Sequence, residues 1–362
     1  MPPRKNKKQK AKRPPKKSAS DGPISAAKHA DTHPKQIKKS YKTGKGQMYW
    51  GTAEQFLEST FAKKYVGKVA LIFTSPPFPL NRKKKYGNRQ GDEYVAWLAG
   101  LAKRFKTLLA PNGSIVMEMG NAWEPGQPVM STLALRALIR FTEEGELNLC
   151  QQFICNNPAR LPSPAQWVNV DRIRVKDSYT HVWWFAATAK PKANNRNVLI
   201  EYSDSMKHLL KTKKYNSGKR PSEFVIGEKS FLTDNAGAIP SNVLTIANTG
   251  SSENYQMYCR EKGLPLHPAR MPSKLAEFFI KFLTDKSDIV LDPFAGSNTT
   301  GAAAQMLGRR WVSIEPQQGY IKGSKARFRQ KNAASKTDKK TKTKPKKKAG
   351  RRGAGRNDSI RP

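Results

Sequence analysis

The sequence predicts an α/β fold in which a largely parallel β-sheet carries helices on both faces. Two observations lead to this prediction. Between residues 47 and 321, short apolar runs typical of buried strands alternate with longer segments whose apolar residues recur at helical spacing. Near the C-terminus, one strand also runs through a glycine-containing loop into a helix, a connection at which open α/β sheets bind ligands.

The N-terminal half of this region supplies the first strands and helices. The apolar run 67–73 is the first predicted buried strand, and a helical stripe follows over 93–109. A Pro-Asn-Gly sequence directly after the stripe stops this helix. The remaining predictions for this half are a strand over 113–120, a helix near 131–142, and strands over 149–155 and 181–188.

Residues 190–265 interrupt the alternation. They are polar, rich in Gly, Asn, Ser and Lys, and hold only short apolar runs. Because this stretch is too long for an ordinary connection, it is predicted to be an inserted subdomain or a set of binding loops. The alternation then resumes with a helix over 273–284, a strand over 288–294, a helix from 298, a strand over 309–316, and a basic helix over 319–331.

The positive charge of the chain is concentrated at its two ends. The chain holds 67 Lys and Arg against 27 Asp and Glu, a net charge of +40. Residues 1–46 carry +13 of it and residues 322–362 carry +15. Segments this basic and this poor in large apolar residues cannot offset their ordering entropy, so tails over 1–46 and 331–362 are predicted to be disordered. Their composition favours contact with DNA phosphates, with a solubilising or nuclear-import role as the alternative.

Cysteine and hydropathy patterns exclude several other classes of protein. Cys150, Cys155 and Cys259 form no CxxC pair and no metal-ligand spacing, so no metal site is predicted and these side chains are expected to pack in the core. The chain shows no signal peptide and no apolar run of spanning length. We therefore expect a soluble, intracellular protein that does not enter a membrane.

A Ser-Pro-Pro-Phe sequence, residues 75–78, directly follows the first buried strand. Ser-Pro-Pro is a common way to end a strand, and that is the simpler interpretation of the segment taken alone. Residues before Pro are restricted to extended conformations, so Ser75 and Pro76 are expected to be rigid. The segment therefore also suits a site that needs a hydroxyl and a carbonyl oxygen held in fixed positions.

A second motif, VLDPFAGSNTTG over 290–301, leads from a strand through a glycine loop into a helix. The loop lets a ligand approach the backbone, and the start of the helix offers free N–H groups. The next strand ends at Glu315, where nucleotide-binding sheets hold ribose hydroxyls. Neither GxxxxGK[ST] nor GxGxxG is present, so the predicted ligand is a nucleoside without a phosphate chain.

The two motifs together resemble those of the DNA amino-methyltransferases that use S-adenosylmethionine (SAM). TSPPF precedes DPFAGSNTT, the order of the circularly permuted class called beta. Further segments resemble the cytosine-N4 modification methyltransferases of this class: RKKKYGN, EYVAW, NPARLPSPAQWVN, RIRVKD, VWWF, YSDSMK and HPARMPSKLAEFFIKFLT. The resemblance implies a Rossmann-like, circularly permuted methyltransferase sheet with an inserted DNA-recognition region.

The resemblance also implies an organisation into domains and a set of site residues. The catalytic half would span 47–189, the target-recognition region 190–265, and the SAM-binding half 266–330. Ser75, Pro76, Pro77 and Phe78 would form the target-base site. The cofactor would be lined by Asp292, Phe294, Gly296, Ser297, Asn298 and Thr299, with Glu315 on its ribose. One departure is Thr52 after Gly51, where the family usually has an Asp that touches the adenine.

The chemistry of an exocyclic amine explains why these residue types are needed. The lone pair of a cytosine amino nitrogen is delocalised into the ring, so this nitrogen is a poor nucleophile. Acceptors such as Ser75 Oγ and the Pro76 carbonyl would draw it toward a tetrahedral geometry in the transition state. Phe78 would stack on a base extruded from the duplex. The basic residues Arg82, Lys83, Lys84 and Lys85 would then contact phosphates, while His181 and His267 are expected to be structural.

The sequence thus predicts a SAM-dependent methyltransferase that acts on cytosine N4 in double-stranded DNA, at a CAGCTG-like site if the recognition region also follows the resemblance. Adenine N6 is the alternative target, and a non-catalytic DNA- or chromatin-binding protein is the alternative class. The predicted location is DNA-associated, in a bacterial nucleoid or in a nucleus. A cognate restriction endonuclease is a predicted partner, and the sequence leaves the oligomeric state open.

Overall fold

A computed structural model describes residues 34–78, 89–215, 217–227, 229–248 and 254–329. Several predictions lie outside the described residues. They are the tail over 331–362, most of the tail over 1–46, and the predicted phosphate-contacting residues Arg82, Lys83, Lys84 and Lys85.

The described residues form eleven strands and ten α-helices, with shorter turns of other helix types between them. The strands are β1 (Lys38–Lys42), β2 (Gly46–Trp50), β3 (Val69–Thr74), β4 (Leu109–Gly120), β5 (Asn148–Asn156), β6 (Tyr179–Ala186), β7 (Gly218–Lys219), β8 (Val225–Ile226), β9 (Val243–Thr245), β10 (Ile289–Asp292) and β11 (Arg310–Glu315). The helices are α1 (Ala53–Glu58), α2 (Thr60–Lys63), α3 (Gly91–Ala99), α4 (Ala102–Leu108), α5 (Leu133–Gly145), α6 (Asp204–Thr212), α7 (Asn254–Glu261), α8 (Ser273–Leu283), α9 (Thr299–Met306) and α10 (Gln318–Ser324).

Nine of these strands form one sheet in the order β1-β2-β11-β10-β3-β4-β6-β5-β9. The five central neighbours from β2 to β4 are parallel, whereas β6 runs antiparallel to both β4 and β5. The predicted largely parallel sheet is therefore confirmed, with antiparallel β6 on one side of the parallel strands and antiparallel β1 on the other. All five parallel strands end at the same edge, which brings the segments that follow them together.

Helices cover both faces of the sheet, as predicted. On one face, a buried cluster joins Phe56 of α1, Leu98 of α3 and Phe141 of α5 to the strands. On the other face, Phe279 of α8 and Ile321 of α10 pack against a second cluster. No helix within the described ranges is long and apolar enough to cross a membrane.

The predicted helix over 93–109 is two helices in the structure. Helix α3 ends at Ala99 and α4 begins at Ala102, with Gly100 between them. Glycine weakens a helix because its backbone loses more freedom on ordering than any other residue. The apolar stripe continues across the break, which is why periodicity alone did not reveal it.

The prediction of a disordered tail as far as residue 46 is wrong for the end of that range. Strand β1 pairs antiparallel with β2, and β2 in turn pairs with β11. Tyr41 holds β1 in place by packing against the rings of Trp311 and Phe328. The other β1 residues are exposed lysines and a serine, as expected for the edge strand of a sheet. These contacts join residues far apart in the chain, so local composition did not indicate them.

The interrupted region 190–265 holds short elements rather than a compact domain of its own. Strand β9 adds to the main sheet beside β5, and α7 buries Tyr255 and Cys259. Part of the predicted insertion therefore belongs to the core that carries the 290–301 motif. Its role in target recognition stays a prediction.

Candidate active site

A cavity of about 250 Å³ lies at the edge where β3, β10 and β11 end. Both sequence motifs line it, although one follows β3 and the other follows β10. The predicted site residues along its wall are Ser75, Pro76, Pro77, Phe78, Asp292, Phe294, Gly296, Ser297, Thr299 and Glu315. The motifs meet because β3 and β10 are hydrogen-bonded neighbours in the sheet.

Asp292 ties the ends of these two strands together. Its Oδ1 accepts from Thr74 Oγ1 at 2.7 Å and from the Phe294 backbone N–H at 3.1 Å. Its Oδ2 accepts from Thr300 Oγ1 at 2.7 Å. Burial raises the pKa of Asp292 to about 6, while these donors act to lower it. The side chain therefore anchors the glycine loop on β3 as well as lining the cavity.

Glu315 closes the same loop from the neighbouring strand. Its Oε2 accepts from the Gly296 N–H and its Oε1 from the Gln317 N–H, both at 2.8 Å. Burial raises the pKa of Glu315 to about 7. Each carboxylate oxygen keeps further acceptor capacity, and Glu315 lines the cavity. The side chain is thus fixed with unused acceptor sites, as a carboxylate that receives ribose hydroxyls requires.

Gly296 and His267 lie against each other on the cavity wall. The backbone φ of Gly296 is +52°, and a Cβ there would lie 2.8 Å from His267 Nε2. The imidazole also contacts Tyr320 edge-on, with 4.7 Å between ring centroids. Burial lowers the pKa of His267 to about 4, so the ring is neutral near pH 7. Sequence reasoning treated His267 as structural and did not anticipate that it lines the cavity.

Asn298 differs from the other predicted cofactor residues, because its side chain does not line the cavity. It is buried, adopts φ +57°, and is absent from the cavity wall. Its Oδ1 accepts from the Gly301 N–H at 3.1 Å and from Ser313 Oγ at 2.7 Å. Its Nδ2 donates to Tyr41 OH at 3.1 Å. The Asn298 side chain thus bonds within the protein and shapes the loop, and its predicted place at the cofactor stays a prediction.

Arg327 clamps the outer side of the glycine loop. Its Nε donates to the Ser297 carbonyl at 2.8 Å and its Nη2 to Ser297 Oγ at 3.0 Å. The guanidinium also lies 4.8 Å from the centre of the Tyr255 ring. Arg327 belongs to the basic C-terminal segment. The composition of that segment did not distinguish Arg327 from the neighbouring Lys and Arg residues, so the sequence analysis missed it.

The Ser-Pro-Pro-Phe segment enters the cavity from the end of β3. Phe78 is half-buried and lies over Gly120 at the end of β4. A Cβ on Gly120 would fall 2.4 Å from Phe78 Cδ2, so the absence of a side chain there makes room for the ring. Ser75 is partly buried beside it, and its hydroxyl lies near enough to the carboxyl group of Glu118 to lower the pKa of that group.

Glu118 is a site residue that the sequence analysis missed. It is buried in β4, next to β3, and accepts from Thr180 Oγ1 at 3.0 Å, while the Ser75 hydroxyl interacts with the same carboxyl group. Burial raises the pKa of Glu118, against the lowering effect of these hydrogen bonds and of nearby Arg160. One signal was present in the sequence, because Glu118 is the only acid in the predicted apolar strand over 113–120.

This sheet, with a glycine loop and a Ser-Pro-Pro-Phe segment in one cavity, has the architecture of an amino-methyltransferase. A family model described as DNA methylase matches residues 69–326, and the chain belongs to this family. It is 45% identical over 293 residues to the type II methyltransferase M.PvuII of Proteus hauseri, covering 80% of this chain and 86% of that protein. It is 26% identical over 259 residues to M.BglII of Bacillus subtilis, covering 70% of this chain and 61% of that protein.

A solved structure agrees with the sequence comparisons. The cytosine-N4-specific PvuII DNA methyltransferase superposes with a TM-score of 0.65 at 38% identity, covering 82% of this chain and 91% of that one. The predicted α/β fold, the family resemblance and the use of SAM are thereby confirmed. The circular permutation, the domain boundaries and the roles of individual site residues stay predictions.

Proposed function

We propose that this protein transfers a methyl group from SAM to the exocyclic N4 amine of a cytosine in double-stranded DNA. The observation that carries the proposal is the meeting of Ser75 and Phe78 with Gly296 and Glu315 in one cavity. The target base is inferred from the relative at 45% identity and from the cytosine-N4-specific enzyme of similar structure.

The residues around the glycine loop fit a nucleoside cofactor without phosphates. Gly296 has no Cβ in the cavity, and Glu315 offers acceptors suited to ribose hydroxyls. Phe294 and Tyr320 supply apolar wall. The cofactor contributes a methyl group made electrophilic by its positively charged sulfur. The chain's own part is to hold that group at the side of the cavity formed by the Ser-Pro-Pro-Phe segment.

The target amine would be activated by the two acceptors predicted from the sequence. Ser75 Oγ and the Pro76 carbonyl would receive the two N–H bonds of the amine and favour a tetrahedral nitrogen. Both belong to a short segment restricted by Pro76 and Pro77, so little reorganisation is needed when charge develops. Phe78 would stack on the extruded base. The Phe78 ring can take its position because Gly120 has no side chain there.

Glu118 would orient the Ser75 hydroxyl. When Glu118 is ionised, it accepts the Ser75 O–H, which leaves the lone pairs of Ser75 Oγ free for the amine. After methyl transfer the nitrogen carries one proton too many, and this proton can pass to Ser75 and on to Glu118. The raised pKa of Glu118 makes it a better acceptor for that proton than an ordinary Glu.

Finer features of the proposal concern the DNA site and the partners. A CAGCTG-like palindrome is the first site to test, with the DNA-recognition residues in 190–265. The basic tails would contact DNA phosphates, and the protein would act on the DNA of the nucleoid, or of a nucleus, alone or beside a cognate restriction endonuclease. Adenine N6 is the second candidate target, because the same cavity would suit another exocyclic amine.

A product analysis tests the proposal. The full chain is incubated with methyl-labelled SAM and either CAGCTG duplex or plasmid DNA, and the digested nucleosides are identified by mass spectrometry. We expect N4-methylcytosine with the wild type and at least roughly 10²-fold less with Ser75→Ala. Retention of labelled SAM by Ser75→Ala is the control for correct folding. N6-methyladenine as the product would overturn the assignment of the target base, and no product from any DNA would favour a binding protein.

A further inference from the structure

The loop 157–178, which joins β5 to β6, rises from the same edge of the sheet as the active site. The Asn157 N–H donates to the Ser178 carbonyl at 2.7 Å and closes the base of the loop. Thr180, directly after the loop, pairs with Gly120 of β4 and donates to Glu118. The loop therefore stands beside the carboxyl group that Ser75 contacts.

Interactions with the segment that follows β4 fix the conformation of this loop. Trp167 packs on Trp123 with 5.4 Å between ring centroids. Trp123 Nε1 also donates to Asp177 Oδ2 at 2.8 Å, and Arg174 Nε donates to the Pro128 carbonyl at 3.0 Å. The loop is thus a supported structure, and the side chains that it exposes have defined positions.

The C-terminal part of the loop, residues 172–176, exposes apolar side chains to solvent. Residues 172–176 alternate basic and apolar types, and such a segment normally turns its apolar side chains to the core. Here Arg174 binds a backbone carbonyl, and Lys176 Nζ lies 3.2 Å from two others. Meanwhile Val175 is 87% exposed and Ile173 is 51% exposed. Arg174 and Lys176 thus contact backbone carbonyl groups although both are exposed, and Ile173 and Val175 are exposed beside them.

Leu161 adds to this exposed apolar surface. It is 80% exposed, and it follows Arg160, whose carbonyl accepts from Lys176 Nζ. Leu161 and Val175 therefore lie on neighbouring runs of the same loop. The loop carries four cations, Arg160, Arg172, Arg174 and Lys176, against two acids, Asp171 and Asp177, so its net charge is +2. An exposed apolar surface on a loop of net positive charge fits a polyanion with an apolar interior.

We propose that Leu161 and Val175 enter the DNA duplex beside the extruded base and replace part of its lost stacking. Apolar side chains that wedge between base steps, with cations on the adjacent phosphates, are a general way for proteins to hold opened DNA. The surface lies at the edge where the extruded base would reach Ser75. This inference rests on the proposed function and assigns to the loop the stabilisation of the opened duplex.

The variants Val175→Ser and Leu161→Ser test the inference. Val66→Ser is the matched control, because Val66 is 47% exposed and precedes β3, at the opposite edge of the sheet. Methylation is measured on the duplex that the wild type methylates, with the target cytosine opposite either guanine or an abasic site. We expect each loop variant to be about tenfold slower on the paired duplex and within about twofold of the wild type opposite the abasic site, where extrusion costs less. Neither variant should change the Kd for SAM, and Val66→Ser should match the wild type throughout.

The two substrates separate a wedge from other roles. An equal loss on both duplexes, or no loss on either, would overturn the inference. It would also be overturned if the variants changed only self-association in sedimentation, since the surface would then be a protein interface. If the wild type itself makes no N4-methylcytosine, the proposed function fails. Duplex DNA affinity then tests whether the loop contacts DNA. A severalfold weaker Kd in both variants would support that contact, and an unchanged Kd would overturn it.

Discussion

Two buried carboxyl groups stand at different parts of the candidate site: Glu118 lies beside Ser75, and Glu315 accepts from the Gly296 N–H. Both glutamates are buried, and burial raises the pKa of each. Glu118 faces the predicted target-base residue, whereas Glu315 faces the glycine loop. Because their contacts differ, their removal should affect different measurable steps.

Replacement of Glu118 by Gln should slow the chemical step and leave cofactor binding intact. We expect kcat to fall by roughly 10²-fold, because the amide neither orients the Ser75 hydroxyl in the same way nor accepts its proton. At saturating SAM and DNA, the wild-type kcat should decline on acidification at a higher pH than an ordinary Glu would cause, since the pKa is raised. That acidic limb should be absent in Glu118→Gln. If kcat were unchanged while only the melting temperature fell, Glu118 would be purely structural.

Replacement of Glu315 by Gln should weaken cofactor binding. We expect the Kd for SAM, measured calorimetrically, to rise by about tenfold, the size expected for hydrogen bonds to a charged group. Only the ionised carboxylate offers every oxygen as an acceptor, so wild-type affinity should increase as pH rises through about 7. Glu315→Gln should be insensitive to pH over this range. Glu58→Gln is the control, because Glu58 is exposed and forms an ion pair with Arg104. We expect this variant to leave the Kd for SAM unchanged.

The effect of Glu315 on stability has the opposite pH dependence to its effect on SAM binding. The folded protein holds the Glu315 proton more tightly than the unfolded chain does, because the folded-state pKa is raised to about 7. This contribution to the free energy of unfolding is present below the ordinary Glu pKa of about 4.3 and is lost as pH rises to about 7. Bound SAM should therefore stabilise the protein more at the alkaline end of this range.

At the scale of elements, the β1–β2 hairpin reaches the cofactor loop through one hydroxyl. Tyr41 OH accepts from Asn298 Nδ2 at 3.1 Å and lies 2.7 Å from Ser324 Oγ. Asn298 has a positive φ and caps α9, so its amide must point one way for the loop to keep its shape. The edge strand nearest the N-terminal tail thus supports the glycine loop from outside the cavity.

Tyr41→Phe should test this support. It removes the hydroxyl and keeps the ring that packs on Trp311. We expect a loss of about 1 kcal/mol in the free energy of unfolding and a severalfold higher Kd for SAM, with kcat at saturating SAM unchanged. Tyr258→Phe is a matched control, since this ring lies against Arg329 away from the Asn298 network. A loss of stability without any change in Kd would show that β1 does not shape the cofactor loop.

At the scale of the whole molecule, the charge of +40 should dominate contact with DNA. Each phosphate contact that releases a counterion contributes about −0.9 to the slope of log K against log salt concentration. We expect duplex DNA affinity of the full chain to fall steeply between low and moderate salt, by a similar factor for specific and unrelated sequences. The Kd for SAM should change little, because that cavity binds no phosphate chain. A shallow slope for DNA would mean that the tails do not contact phosphates.

The sequence by itself determined the fold class and both motifs, because these depend on features local to the chain. Apolar periodicity located six of the nine strands of the main sheet, β3 to β6, β10 and β11. Pro76, Pro77 and Gly296 marked segments with restricted or unusual backbone. Glu315 then indicated a nucleoside ligand, and the resemblance of the two motifs to those of the amino-methyltransferases implied the reaction, before any contact between the motifs was known.

Only the tertiary structure decided which residues meet. The pairing of β3 with β10 and β4 brought Ser75 to both the glycine loop and Glu118, and no periodicity specifies that order. Periodicity also did not indicate that Tyr41 packs on Trp311, a contact that places lysine-rich β1 at the edge of the sheet. Nor did it indicate the contact of His267 with Gly296. These contacts join residues from distant parts of the chain. Their free energy comes from burial and hydrogen bonding that exist only once the sheet has closed around them.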